Sequence, residues 1–485
     1  MVRKLMATLA EALETALQLH ERGQFDKAET LYRQILARVP RQPEALHLLG
    51  LLHHQRGRHE TAIDLVGQAI AAAPRVSGFH NSLGVAYRAI GRLDEAEASY
   101  RRALMLEPGF AEAIGNLGNV LHQRGDLVGA VACYRRALAL DPRRAELHNN
   151  LGTALFDDGD LTAAEACYRR ALELNSDYPE AHYHLGLLRL QLGDYPAGWR
   201  EHEWRWRMRN FATPPRGVTQ PQWRGEWLDG ARILLHVEQG FGDMLQFVRY
   251  VPLVAARGGT VVLEAPQAML RLFANVGGVA ELVERGPQPP SCVWHCPLMS
   301  LPLAFHTTLA TIPAAVPYIA VEETRAAPWR ARLDAGGKPK VGLVLAGRKT
   351  WKTHYNRAVP AEALAALIGI PGIAFYSLQK DPPLTSGSVA ITDLAPEFGD
   401  FADTAAAIAA LDLVVSVDTA VAHLAGALGK PVWIMLPRHA DWRWLVGRAD
   451  SPWYPTARLF RQTTPGDWAP VIADVVKALG AMSRL

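Results

Sequence analysis

Glycine recurs along this chain with a step that leaves little choice of architecture. Gly50, Gly84, Gly118, Gly152 and Gly186 are each 34 residues apart, and so are Gly23, Gly57, Gly91, Gly125, Gly159 and Gly193. Pro40, Pro74, Pro108 and Pro142 keep the same step, with Ser176 in the next slot and Ala16 in the first glycine slot. Between the two glycine sets the residues read as one helix, and after the second comes another, as in RLDEAEASYRRALMLEP. The unit is a helix-turn-helix, present five times in full after a first unit carrying Ala16. One such pair cannot bury its apolar face alone. Stacked pairs share a continuous core and curve into a groove, so residues 1–210 are expected to form an α-solenoid. The small residue lets the two helices approach, and the Pro stops the second helix before the next unit.

The spacing, the small residues and the prolines together resemble the tetratricopeptide repeat family. Two residues before the first glycine of successive units stand Leu48, Ser82, Asn116, Asn150 and His184. In the peptide-binding tetratricopeptide arrays of glycosyltransferases, an Asn at this place holds an extended peptide by its backbone. The resemblance implies that role for Asn116 and Asn150. The alternative is that both are polar inner-face residues turned to water.

A chain of 485 residues is too long for one core and suggests about three domains. The net charge of +3 gives no reason to expect nucleic acid or an anionic membrane as the main partner. Cys133 and Cys167 lie in the matching contexts VACYRRAL and EACYRRAL and read as small core residues. Cys292 and Cys296 bracket His295, but no second Cys/His pair follows at zinc-site spacing. No disulfide framework is present, and the chain is expected to be cytoplasmic and reduced. The start, MVRKLMATLAEALETALQLHERG, has no uninterrupted apolar stretch and reads as an amphipathic helix, not a signal peptide. No stretch of about 18 residues is both apolar and uncharged, so no membrane span is expected. The Trp/Arg run in WREHEWRWRMRN could stack on bases, but on a near-neutral chain it reads as packing. The Pro-rich residues 211–230 read as a linker or an ordered strap.

From Ala231 the texture changes to alternating strands and helices. RILLHV and TVVLEA are strands, MLQFVRYVPLVAARGG is a helix, and PQAMLRLFANV is a helix opened by Pro. A second series, KVGLVLAG, IAFYSLQK, DLVVSV and KPVWIML, starts near Lys340. The expectation is two doubly wound Rossmann-like α/β domains, 231–335 and 336–485, facing each other across a cleft.

Ligands of open parallel sheets bind at the carboxyl ends of the strands, and three motifs fall there. In EQGFGDM, Gly240 and Gly242 permit a sharp turn, and Asp243 opens a helix either as a cap or as a carboxylate facing the cleft. In LAGRKTWKTHYNRAVP, Arg348, Lys349, Lys352, His354 and Arg357 form a basic loop suited to a diphosphate, or a solvated one. In LVVSVDTAVAHLAGALGKPVW, a strand ends in Asp418-Thr419 and a helix begins. Its first N–H groups make an anion site, the small Ala420 lets oxygens approach, and His423 lies one turn on. The plain alternative there is a capped core helix with a satisfied His.

With QGFGD, FYSLQK and SVDTAVAHLAGALGKPVW, residues 231–480 resemble the glycosyltransferase-B fold of the heptosyltransferase-like family, glycosyltransferase family 9 and its relatives. The resemblance implies that Asp243 is the catalytic base, on an active-site loop with Gln239, Gly240 and Gly242. It implies a nucleotide-sugar site of Lys352, Arg357, Gln379, Asp418, Thr419, Ala420 and His423, with Ala420 standing where the family has Gly. The segment PRHADWRWLVGRADSPWYPTARLFRQ is expected to line the donor side through Arg438 and Trp442. A repeat array ahead of such a domain is similar to bacterial protein glycosyltransferases, in which the repeats capture the acceptor, flagellin in some, and the second domain glycosylates it. The implied reaction is transfer of a sugar from a nucleotide donor to a protein Ser or Thr, with inversion, with no cofactor and no metal. The single Asp-x-Asp, Asp158-Gly159-Asp160, lies in a repeat turn. A lipid or saccharide acceptor, or a non-catalytic repeat scaffold, are the competing readings.

Overall fold

The computed structural model describes residues 2–482 except 210, 212, 214–215, 239, 348–357, 361 and 385–390, and of residues 2–8 the backbone only. The chain divides into two compact units, Met1–Ala181 and His182–Leu485.

The first unit is a solenoid of helix pairs, as the 34-residue step requires. It holds α1 (Val2–Glu21) with α2 (Phe25–Arg38), α3 (Pro43–Gln55) with α4 (His59–Ala72), and α5 (Ser77–Ala89) with α6 (Leu93–Leu106). Then come α7 (Ala111–Gln123) with α8 (Leu127–Leu140) and α9 (Ala145–Asp158) with α10 (Leu161–Leu174). The first glycine set sits where helix meets helix. A Cβ on Gly84, Gly118 or Gly152 would lie 2.6, 2.8 or 2.7 Å from the ring of Tyr100, Tyr134 or Tyr168. Ala16 and Tyr32, both buried, share one cluster in the first pair. The second set closes the first helix of each pair. Gly91, Gly125 and Gly159 take φ of 79°, 82° and 92°, which only glycine adopts freely. The next N–H then reaches back to a helix carbonyl, as Asp126 N does to Leu121 O at 2.9 Å. Asp126 goes on to cap α8 by accepting the Gly129 N–H at 2.9 Å.

The second unit begins within α11 (Pro179–Leu192), continues through α12 (Tyr195–His202) and a 3₁₀ turn, Glu203–Arg207, and then builds two parallel sheets. β1 (Arg232–His236), β2 (Thr260–Ala265), β3 (Val279–Glu284) and β4 (Trp294–Pro297) pair in the order β3-β2-β1-β4. β5 (Lys340–Val344), β6 (Ala374–Ser377), β7 (Thr392–Asp393), β8 (Leu413–Val417), β9 (Val432–Leu436) and β10 (Ala457–Arg461) pair as β10-β9-β8-β5-β6-β7. In both sheets the order reverses beside the first strand, which puts the ligand crevice at the carboxyl ends of β1 and β4 and of β5 and β8. The helices are α13 (Phe241–Phe247), α14 (Val251–Ala256), α15 (Gln267–Phe273), α16 (Leu301–Ala304) and α17 (Glu323–Arg332). They continue with α18 (Glu362–Ile368), α19 (Phe401–Ala409), α20 (Ala420–Ala427) and α21 (Ala469–Met482).

Alternate residues of the second sheet feed two cores. Val414 and Ile434 join β1 residues Ile233 and Leu235 and the α12 residues Tyr195 and Trp199 in one cluster. Val415, Val417 and Met435 point the other way, onto Val471 and Val475 of α21.

The sequence reading needs a correction here. MLQFVRYVPLVAARGG is not one helix: α13 ends at Phe247, a 3₁₀ turn follows at Val248–Tyr250, and α14 restarts with Pro252 in its first turn. Proline has no N–H to donate and its ring would clash with the carbonyl four residues back, so it costs far less in the first turn of a helix than in its interior. The segment CVWHCP holds β4, with Cys296 buried on the sheet and His295 Nδ1 hydrogen-bonded to His236 Nε2 on β1 at 3.1 Å.

If Tyr168 fills the space beside Gly152, Gly152→Val overpacks the pair and should lower stability by about 1–3 kcal/mol. Gly67→Ala, where a Cβ meets nothing within 4 Å, should instead stabilise α4 by up to about 1 kcal/mol. Denaturant unfolding of the two variants against the parent tests the contrast, and equal effects would contradict it.

Candidate active site

Strand β1 delivers charge at its carboxyl end. Glu238, two residues past the strand, is buried and needs a cation. Arg205 of the 3₁₀ turn supplies it, with Nε and Nη2 donating to Oε2 and Oε1 at 2.8 and 3.0 Å. Arg205 is itself fully buried and also donates to Ser300 Oγ at 2.8 Å. Burial pushes the Glu238 carboxyl above the ordinary glutamate range, and Arg205 pulls it back part of the way. The Trp/Arg run thus works as packing. Trp199 Nε1 donates to the Thr307 carbonyl at 3.2 Å, and its ring meets Trp442 edge-on at 5.2 Å. The strap that follows is ordered where Arg216 grips the buried Glu264 of β2 through Nε and Nη2, at 2.8 and 2.7 Å.

Asp243 follows on the same loop. The helix α13 starts at Phe241 with Gly240 as its N-cap, so Asp243 is its third residue, and its Oδ2 accepts the Gly240 N–H at 3.0 Å. Asp243 thus caps from the third helical position, as the N3 half of a capping box, since Gly240 has no side chain to return the bond. The other oxygen, Oδ1, accepts from Nη2 of Arg443, which arrives from the connection after β9. Burial raises the Asp243 carboxyl above the ordinary aspartate value. Arg443 opposes that rise and Asp441 adds to it. A sequence alone does not show that desolvation. Burial also works against the charge of Arg443, but Asp441 and Asp243 more than offset it, and the guanidinium stays protonated.

The corner after β8 lies against this loop. Thr419 is the extended N-cap of α20, with φ −141° and ψ 169°. Its hydroxyl pairs with Ser416 Oγ at 3.0 Å and does not cap the helix. The first turn of α20 therefore presents its N–H groups and the positive end of its dipole without a Thr419 cap. His423 is buried, stacks on Trp444 at 5.3 Å, and shares a 2.8 Å hydrogen bond between Nδ1 and the Tyr454 hydroxyl. Its Nε2 stands 3.7 Å from Asp418 Oδ1. A Cβ on Gly242 would lie 2.9 Å from His423 Cδ2 and 3.3 Å from Nε2. Only glycine fits there, and the contact seats the Gly-Asp motif of the first sheet on the Asp-Thr-Ala-x-x-His corner of the second.

The remaining candidates divide. Gln379 is buried, and its Oε1 accepts the Leu345 and Ala346 N–H groups at 2.8 Å each while Nε2 donates to the Pro382 carbonyl. Its amide shapes the loop after β5, which passes Thr419: a Cβ on Gly347 would lie 3.6 Å from Thr419 Cγ2. Arg438 is exposed after β9. Trp442 is no donor-side residue, since it is buried among Trp199, Tyr195, Phe247 and Trp453. Gln239, Lys352 and Arg357, with Arg348, Lys349 and His354, lie outside the described residues. In the solenoid, Asn116 Nδ2 donates to Asn81 Oδ1 at 3.0 Å and Asn150 Nδ2 to Asn119 Oδ1 at 3.1 Å, so both half-buried amides link neighbouring helix pairs. Asp160 caps α10 through the Ala163 N–H at 3.0 Å, the turn role expected of it. Sequence reasoning missed Arg205, Glu238, Arg443 and Tyr454. For Arg443 the available signal was an arginine flanked by two tryptophans, since a charge inside an aromatic run tends to be buried with a partner.

Arg205→Met should cost about 3–5 kcal/mol at neutral pH, because it leaves Glu238 buried without its cation. The loss should shrink as the pH falls, because the raised Glu238 carboxyl then takes a proton and its buried charge disappears. Adding Glu238→Gln should remove that pH dependence. Denaturant midpoints across pH check both, and a pH-independent loss would contradict the pairing.

Known proteins carry the same two textures. Tetratricopeptide repeat models match residues 13–77, 77–110, 118–159 and 152–193. The model of glycosyltransferase family 9 (heptosyltransferase) matches residues 383–436, the stretch that contains Thr419 and His423. The chain is similar to Protein FlbA of Caulobacter vibrioides, 28% identical over 321 residues that cover 60% of this chain and 53% of that protein. It thus spans about half the length of the curated relative it matches. Among solved structures, a thermophilic TPR protein of Thermus thermophilus is 26% identical with a TM-score of 0.34, covering 38% of this chain and 99% of that one. The pilF protein of Pseudomonas aeruginosa is 17% identical with a TM-score of 0.37, covering 40% and 88%. No described helix is long and apolar enough to cross a membrane. The chain therefore carries tetratricopeptide repeats ahead of a segment that matches the glycosyltransferase family 9 model.

Proposed function

We propose that this protein is a cytoplasmic, inverting glycosyltransferase of glycosyltransferase-B fold, moving a sugar from a nucleotide-sugar donor to a Ser or Thr of a protein held by the repeats. The observation that carries the reading is the seat of Gly242 on His423, which joins a carboxylate at the end of β1 to an anion-ready helix start at the end of β8. In this scheme Asp243 accepts the proton of the acceptor hydroxyl as its oxygen attacks the anomeric carbon. The bond from that carbon to the diphosphate breaks on the opposite face. Charge growing on the nucleoside diphosphate is met by the first turn of α20, and by Lys352 and Arg357 of the basic loop. The raised Asp243 carboxyl suits the task, because a base of higher pKa takes the proton more readily. Gln379 acts here by shaping the loop after β5, and Arg438 stands at the donor side. A polypeptide acceptor, flagellin among the candidates, suits a solenoid groove better than a small saccharide does. Asn116 and Asn150 are its proposed backbone contacts.

A thermal-shift panel with UDP, GDP, ADP, CMP and their sugar conjugates tests the donor half. A ligand at about 100 times its Kd should stabilise the fold by about 2.7 kcal/mol. Silence across the panel would move the protein to a non-catalytic scaffold. With a donor in hand, Asp243→Asn should keep the shift and lose about 10²–10⁴-fold in kcat. Transfer should survive EDTA. Asn116→Ala with Asn150→Ala should raise KM for a protein acceptor and leave donor binding alone.

A further inference from the structure

Arg443 was not among the candidates that the sequence offered, yet it touches the residue on which the proposed chemistry turns. Its guanidinium is placed by contacts that do not involve Asp243. Nε donates to Gln246 Oε1 at 2.6 Å, Nη1 donates to Asp441 Oδ1 at 2.8 Å, and the group lies 4.4 Å from the centre of the Trp442 ring. Phe247 flanks it at 5.8 Å. A guanidinium has donors only, so Gln246 must turn its oxygen to Arg443. Its Nε2 is then left buried with no hydrogen-bond partner among the described residues. Leaving a buried donor unpaired costs about 1–3 kcal/mol, which identifies the placement of Arg443 as the arrangement the site is built around.

Asp243, by contrast, depends on what surrounds it. Arg443 holds Oδ1 and the Gly240 N–H holds Oδ2, so both oxygens are pinned and the carboxylate cannot turn about its last bond. Gln246 and Asp243 are three residues apart on α13, so the guanidinium docks on one helix face at two points.

We infer that Arg443 is the positioning residue of the Asp243 base, reaching from the connection after β9 to set the plane in which that carboxylate meets the acceptor hydroxyl. This rests on the assignment of Asp243 as base made above. The charged and titratable groups that act on Asp243 come from four further elements. They are Arg443 and Asp441 after β9, His423 of α20, Glu238 at the end of β1 and Tyr183 of α11. Burial and Asp441 raise the carboxyl, while Arg443 is the largest influence lowering it. Removing the guanidinium therefore lets the pKa climb further. A neighbouring opposite charge at this range is worth about 1–3 pH units.

Full-length Arg443→Gln, Arg443→Lys, Asp243→Asn and the Arg443→Gln/Asp243→Asn pair carry the test. The first readout is kcat against pH, following release of UDP, GDP, ADP or CMP from the conjugate that shifts the fold. Arg443→Gln should move the acid limb up by about 1–3 pH units, with Arg443→Lys between it and the parent. The second readout needs no turnover: thermal midpoint against pH. A carboxyl whose folded pKa is raised favours the fold at low pH and loses that support as pH rises through the raised value. Arg443→Gln should therefore lose midpoint at neutral pH and regain it on acidification, and the double variant should not. An unmoved acid limb in both Arg443 variants, or the same midpoint curve with and without Asp243, overturns the inference. The stability signature with no transfer from any donor would overturn the function proposed above while upholding the coupling of Arg443 to Asp243.

Discussion

A charge taken out of water must be met by its opposite, and this chain buries two guanidiniums on one short loop. Arg205 grips Glu238 and Arg443 grips Asp243, so the stretch from the end of β1 to the third residue of α13 is clamped at both ends. The two cations come from opposite directions in the sequence, one just before the first sheet and one between the last two strands of the second. Each pair is costly to form and far costlier to break, because the surviving partner would stay buried and uncompensated. Glu238 and Asp243 are thus each held by a buried guanidinium, and the rest of the site is arranged around them.

The second constraint is steric. Gly242 lies so close to the His423 imidazole that any side chain would collide with it. Where the Arg443 clamp draws the two sheets together by charge, this contact sets how near they come. His423 in turn is held by Tyr454 and Trp444. The corner at Thr419 is therefore backed, one turn on, by packed aromatic rings. Gln379 performs the same service for the loop after β5, spending its amide on backbone groups. Precision at such a site comes from residues that do not themselves react.

The solenoid shows the same economy at larger scale. In three of the pairs a tyrosine, Tyr100, Tyr134 or Tyr168, fills the space a glycine leaves, Val66 does so beside Gly50, and one left-handed glycine ends each first helix. Amides on its helices bond to one another across pairs, Asn116 to Asn81 and Asn150 to Asn119. The proposed peptide contacts are thus also rungs that tie the repeats together, and a bound backbone would have to share them.

The repeat was legible in the sequence because its physics is local: a helix needs its stop and its close approach at the same place in every unit, and a 34-residue step prints both. The parallel strands quoted from the second half were legible for a similar reason, as short apolar runs between turn residues. Asp243, Thr419 and His423 were visible because strand ends and helix starts advertise themselves. The partners of those residues were not. Arg443 lies 200 positions from Asp243, and His423 lies about as far from Gly242, so nothing in either neighbourhood records the other. The raised Asp243 carboxyl, the broken helix after Phe247 and the burial of Trp442 depend likewise on what the fold brings near. By itself the sequence determined the repeat, six of the ten described strands and the candidate motifs, but not β3, β4, β7 or β10. Only the tertiary structure decided which motifs touch, because desolvation and ion pairing act through space and not along the chain.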